Sequence, residues 1–161
     1  AIPQNQITSY AKIPNDKYIA VYDKVLKDGE ILLNGEPAYF VTLQAQGQYL
    51  LLGEIVSAQL AVGETAYMEA KLDNPNTPIT LVKAHMENIT QQDGKKKEQR
   101  LWPVITYQDL VQSHVAISRE TTPLGNVKIS FVVKETGDYV LYIQGKNEYI
   151  VINVIEKKNN Q

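Results

Sequence analysis

Two histidines, His85 and His114, are the only imidazoles in the chain, and there is no cysteine. Without thiols, disulfides, thiolate nucleophiles and Cys-ligated zinc are all excluded. The histidines stand 29 residues apart and fit neither a His-x-His nor a His-Glu-x-x-His spacing. A zinc or copper site would therefore need the fold to bring both rings to a carboxylate such as Glu87 or Asp109. Ser113 precedes His114, but a nucleophile and its base meet in space, so adjacency in sequence carries no weight. No Gly-x-Ser-x-Gly elbow is present, and Gly29, Gly35, Gly47 and Gly53 lack the strand-to-helix context of a phosphate loop.

Acid–base chemistry on sugars needs two carboxyl groups with separated pKa values facing one cleft. Glu36, Glu54, Glu64 and Glu69 fall at turns or on the polar faces of strand patterns and read as solvated. Asp73, Asn74 and Asn76 share one loop, but they lack the Asp-x-Asp-x-Asp-Gly spacing and distal Glu of a calcium loop, so turn formation accounts for them. Lys95, Lys96, Lys97 and Arg100 form a basic run diluted by Asp93 and Glu98, which reads as an exposed loop. Asn88-Ile89-Thr90 fits a glycosylation sequon, which matters only in a eukaryotic secretory pathway. Ten tyrosines against one tryptophan and two phenylalanines make the aromatic set tyrosine-heavy. Tyr brings contact area at low side-chain entropy, so Tyr67, Tyr142 and Tyr149 are the candidate interaction surface for a protein or glycan. Strand propensity is the competing explanation of the same residues.

The elements that must position these groups read almost entirely as strands. Tyr18 to Tyr22 and Val25-Leu26 lead into Asp28-Gly29, and Ile31 to Leu33 leads into Asn34-Gly35. Both dipeptides suit two-residue hairpin turns, whose central positions take positive φ. Ala38 to Gln44 and Gln48 to Ser57 flank Ala45-Gln46-Gly47 as a longer hairpin, and Leu50-Leu51-Leu52 looks buried on both faces. Ala66, Met68, Ala70 and Leu72 alternate with Tyr67, Glu69 and Lys71, which is the period of a half-buried strand. Ile79 to Met86 is a further extended run, and Gln91 to Gln99 reads as a polar loop. The spacing of Thr106 with Leu110 and of Tyr107 with Val111 suggests a short helix from Thr106 to Ser113. Val115 to Ser118 is a further strand candidate.

The last third of the chain is the most regular. Val127, Ile129, Phe131 and Val133 alternate with Lys128, Ser130 and Val132, and a turn at Glu135-Thr136-Gly137-Asp138 follows. Tyr139, Leu141 and Ile143 then point one way and Val140, Tyr142 and Gln144 the other. Ile150, Ile152 and Val154 alternate with Tyr149, Val151 and Asn153. The spacing of Glu135, Gly137, Tyr139 and Leu141 resembles the tyrosine corner of immunoglobulin-like sandwiches, with Leu141 where the second core cysteine would stand. That resemblance covers about 30 residues closely and implies a cysteine-free bacterial immunoglobulin-like domain. In such a domain Tyr139 would bury its ring and donate its hydroxyl to the backbone. The family's other hallmark is missing, since Trp102 lies beside Pro103 with no partner cysteine.

At 161 residues the chain can bury a working core without staples, and a formal charge of −2 predicts no strong attraction to nucleic acid or anionic lipid. No apolar run approaches the roughly 20 residues that span a bilayer. A start at Ala1-Ile2-Pro3 without Met suggests a mature chain after removal of a signal peptide, and hence a periplasmic, cell-surface or secreted location. The resulting expectation is an all-β protein. Residues 59–161 would form an immunoglobulin-like antiparallel β-sandwich with a short polar tail, and residues 1–58 a small β-hairpin subdomain. Ile2 to Ile13 is a candidate for pairing with another subunit. The expected role is a non-catalytic protein-interaction or structural module of a bacterial envelope, surface or appendage assembly, with no cofactor. The alternatives are a carbohydrate-binding sandwich, marked by aromatics spaced along one sheet face, and a metal-dependent protein using His85 and His114.

Overall fold

The computed structural model describes residues 7–13, 17–22, 26–53 and 55–157. Ile2, Val25, Glu54 and the tail from residue 158 onward, which enter the expectations above, lie outside the described residues. The strands in chain order are β1 (Ile7–Ile13), β2 (Lys17–Tyr22), β3 (Ile31–Leu33), β4 (Glu36–Pro37), β5 (Gln44–Gln46), β6 (Tyr49–Leu51), β7 (Ala58–Ala61) and β8 (Thr65–Ala70). They continue with β9 (Ile79–Lys83), β10 (His85–Asp93), β11 (Lys96–Thr106), β12 (Ser118–Thr121), β13 (Val127–Val132), β14 (Gly137–Ile143) and β15 (Ile150–Ile155). Among the described residues there is no α-helix, and every pairing except that of β7 with β15 is antiparallel.

Three larger sheets stack on one another. The first has the order β12-β13-β8-β3-β4, the middle one β7-β15-β14-β9 and the third β10-β11-β6-β5. Between the first and middle sheets lies the main core, where Met68, Ile129 and Phe131 meet Leu81, Leu141, Ile143, Ile150 and Ile152. The opposite face of the middle sheet is covered as well: Val82, Val140 and Val151 pack against Leu50, Leu52, Ile105 and Leu110. A sheet dry on both faces needs apolar residues at successive positions, which is why β14 and β15 are apolar almost throughout. Leu51 points the other way from Leu50 and Leu52, into a third cluster with Ile89 and Val104. The three consecutive leucines thus serve two cores, as their run predicted. Gln46 Nε2, in the outermost strand β5, donates to the carbonyl of Thr90 in β10 at 3.0 Å. The third sheet therefore curls until its two outer strands approach.

β1 and β2 pair with each other from Ile7 opposite Tyr22 to Ile13 opposite Lys17, so Ile7–Ile13 finds its strand partner within the chain. The pairings of β3 with β8 and of β6 with β11 both cross residue 58. Asn34 (φ 51°) and Gly35 (φ 83°) form the expected two-residue turn between β3 and β4. Asn34 also extends the first sheet beyond β3, because its N–H donates to the Tyr67 carbonyl and its Oδ1 accepts from the Tyr67 N–H, at 2.7 and 2.8 Å.

Several local expectations are corrected. Gln91 to Gln99 is no loop: β10 and β11 form one long hairpin with Asp93 opposite Lys96 and Gly94 at positive φ between them. Polar ribbons exposed on both faces lack the apolar alternation that marks a half-buried strand. The run from Ile79 to Met86 divides at Ala84 into β9 of the middle sheet and β10 of the third. Thr106 to Ser113 contains only a 3-10 turn at Asp109–Val111. There the Thr106 N–H donates to Asp109 Oδ2 and the Asp109 N–H to Thr106 Oγ1, the reciprocal bonds of a helix-start capping box, but the chain leaves the helical conformation at Gln112 (φ −139°, ψ 126°) after a single turn. The hairpin around Gly47 is shorter than expected, with only β5 and β6 paired. β12 begins at Ser118, and the preceding Val115 is tied instead by its N–H to the Leu81 carbonyl.

Candidate functional site

Two places concentrate the polar groups and exposed apolar surface from which function can be argued. The first is a cleft of about 710 Å³ between the first and middle sheets. Lys83 at the end of β9, His114 before β12, and Glu135 with Tyr139 around the β13–β14 turn line it, together with Val115, Phe131 and Val132. Lys83 Nζ and Glu135 Oε2 are 2.8 Å apart, and the Tyr139 hydroxyl donates to the Glu135 carbonyl at 2.9 Å. Tyr139 is 3% exposed, so both the burial and the hydroxyl bond that the tyrosine-corner resemblance implies are present.

The electrostatics of this group follow from the contacts. Hydrogen bonding to Glu135 holds the Lys83 ammonium above its ordinary pKa against the opposing cost of burial, and the same bond holds Glu135 below its ordinary value. Burial raises the Tyr139 phenol. Each shift moves the group away from neutral pH, so none of the three is poised to exchange a proton there. The His114 Nδ1 accepts the Lys83 backbone N–H at 3.1 Å, which leaves the proton of the neutral ring on Nε2.

His85 belongs to the third sheet, with Nε2 at 3.4 Å from Glu87 Oε1 and its ring edge-on to Tyr49. Asp109 is occupied by the Thr106 cap. Among the described residues no group of three His, Asp or Glu side chains is disposed to hold a metal ion. Asn74 accepts the Asn76 N–H on Oδ1 and bonds of Thr77 on its carbonyl, which accounts for the loop by turn formation. Glu69 departs from its reading as solvated: its side chain is 11% exposed on the outer face of the first sheet, with Lys128 Nζ at 3.9 Å across β8 and β13.

The three tyrosines do not form one surface. Tyr67 is 63% exposed on the first sheet, whereas Tyr142 and Tyr149 stack at 5.6 Å on the far side of the middle sheet. Tyr149 is 8% exposed, because the Val41–Tyr149 bridge draws the loop before β5 across it. Burial raises its phenol above the ordinary value. Trp102 donates Nε1–H to the Leu52 carbonyl at 2.7 Å and carries the Arg100 guanidinium over its ring.

Sequence reasoning missed the second place, the hairpin of β10 and β11. Its register puts His85, Glu87, Ile89 and Gln91 on one face with Lys96, Glu98, Arg100, Trp102 and Val104. The other face carries Met86, Asn88, Thr90 and Gln92 with Lys97, Gln99, Leu101 and Pro103. The charges gather on the face that also holds buried Ile89 and Val104. The more exposed face has one charge, Lys97, and presents Met86 and Leu101 at 55% and 63% exposure. A basic run read along the chain hides this division, which appears only once the register is known.

No helix among the described residues is long and apolar enough to cross a membrane. Compared with known proteins, the chain matches no family and no curated sequence.

Proposed function

We propose that this protein is a non-catalytic contact module of a bacterial envelope, surface or appendage assembly, and that the nearly uncharged face of the β10–β11 hairpin meets the partner. The observation that carries the reading is the division of charge on that hairpin. A strand ribbon facing only water gains from charge on its open side, whereas contact surfaces are depleted of charge and enriched in residues such as Met. Here the open side is the one with Met86 and Leu101.

The arrangement of the first and middle sheets supports an immunoglobulin-like sandwich as the scaffold. On this reading β8, β9, β13, β14 and β15 would correspond to strands B, C, E, F and G, with β12 as D and β3 and β7 as a first strand divided between the sheets; the strand orders and the parallel β7–β15 pair support it. The hydroxyl bond of Tyr139 fits the corner of that fold. The hairpin and the curled third sheet are then additions mounted on its side.

Crosslinking in source cells, followed by affinity capture and mass spectrometry of each cell fraction, tests the role. The native chain is expected to bring down one reproducible envelope or appendage protein. A Met86→Lys, Leu101→Lys double variant is expected to lose that protein while its unfolding free energy changes by about 0.5 kcal/mol or less per substitution. Equal capture by both chains would remove the hairpin from the contact.

A further inference from the structure

We propose that the cleft between the first and middle sheets binds a small amphipathic carboxylate, its anionic head taken by the Lys83 ammonium and the His114 Nε2–H and its hydrocarbon body lying along Val115, Phe131 and Val132. The volume, about 710 Å³, falls within the roughly 300–1,000 Å³ of small-molecule sites. The lining offers an amphipathic ligand both kinds of surface, with Val115, Phe131 and Val132 beside the donors of Lys83, His114 and Lys134.

The charge of the head follows from the donors. Because Nδ1 of His114 is engaged by a backbone N–H, the ring offers a donor and no acceptor from Nε2. Lys83 offers only donors. Among the described residues Glu135 is the one carboxylate on the lining, and its side chain is 73% exposed against 38% for Lys83. The ammonium is thus the more enclosed partner, and solvent-exposed pairing of this kind is weak enough for a bound carboxylate to compete with it. A neutral or cationic head would gain nothing from the Lys83 ammonium, which would stay with Glu135, and would leave the His114 Nε2–H without an anion.

Octanoate, followed by calorimetry and by shifts of the His114 ring resonances, is the probe, with octan-1-ol and octylamine as comparisons. Saturable binding of octanoate alone is expected. Lys83→Met and Glu135→Gln break the same ion pair and should lower thermal stability alike, yet they should change affinity in opposite directions. Lys83→Met should weaken octanoate by about tenfold, the usual effect of losing one charge-assisted hydrogen bond. Glu135→Gln should tighten it by freeing the ammonium. Octanol binding as well as octanoate, equal affinities in the two variants, or no saturation by octanoate would each overturn the assignment.

Discussion

Asn34, Tyr139 and the Lys83–Glu135 pair show how much single side chains contribute to this fold. Asn34 holds positive φ and also brackets the Tyr67 backbone. Asn34→Gly keeps the backbone freedom and loses the side-chain bond, whereas Asn34→Ala loses both. Urea unfolding should give costs of about 1 and about 2 kcal/mol respectively. Equal costs would assign the whole effect to the amide. Tyr139→Phe, which removes only the bond to the Glu135 carbonyl, should cost about 1 kcal/mol. The pH dependence of the Lys83–Glu135 pair has a definite sign. Glu135 is lowered in the folded state, so its contribution is present above the ordinary carboxylate range and is lost as pH falls through the lowered value. Lys83 is raised, so its contribution is complete below the ordinary lysine value and is lost only as pH rises through the raised one. The melting-temperature gap between the native chain and Glu135→Gln should therefore close in acid and shrink with salt. A gap unchanged at low pH would place the effect elsewhere.

Among the elements, β8, β13, β14 and β15 were legible because their side chains alternate between a dry interior and a second environment, and alternation is what a chain displays one residue at a time. Leu50, Leu51 and Leu52 were legible for the complementary reason, since three successive apolar residues in a strand demand cover on both faces. Leu52→Ala should cost about 2–5 kcal/mol through the layer beneath the middle sheet. Leu51→Ala should cost a similar amount through the separate cluster with Ile89 and Val104, and a double-mutant cycle measures how far these adjacent residues couple through their shared backbone and the Trp102 bond to Leu52. The hairpin of β10 and β11 was illegible because its outer half has no buried face to imprint a period. The helix expected at Thr106 stops after one turn for a tertiary reason, since Gln112 is extended and Ser113, His114 and Val115 are bonded to Leu81 of β9. Of the candidate site, Tyr139 was readable from spacing. The meeting of Lys83 with Glu135, 52 positions later, depends on strand order and has no trace in either neighbourhood.

At the scale of the molecule, three stacked sheets are built by a chain that returns repeatedly to each. β3 completes the first sheet and β6 covers the middle one, and both precede residue 58. A fragment of residues 59–161 would lose Ile31 and Leu33 from one core and uncover Val82, Val140 and Val151 of another. It is expected to bind a hydrophobic dye and to unfold without a cooperative transition, while the intact chain unfolds in one step; a sharp transition in the fragment would establish it as an independent unit. Ala84 is the only residue between β9 and β10, and its N–H is held by the Asp138 carbonyl at 2.8 Å. Tension applied to the hairpin therefore passes through one covalent joint into β9, whose five registered partners on β14 run from Tyr139 to Ile143. A pull along β9 loads those rungs together in shear instead of peeling them one at a time, so a partner gripping the hairpin would be anchored mechanically in the core.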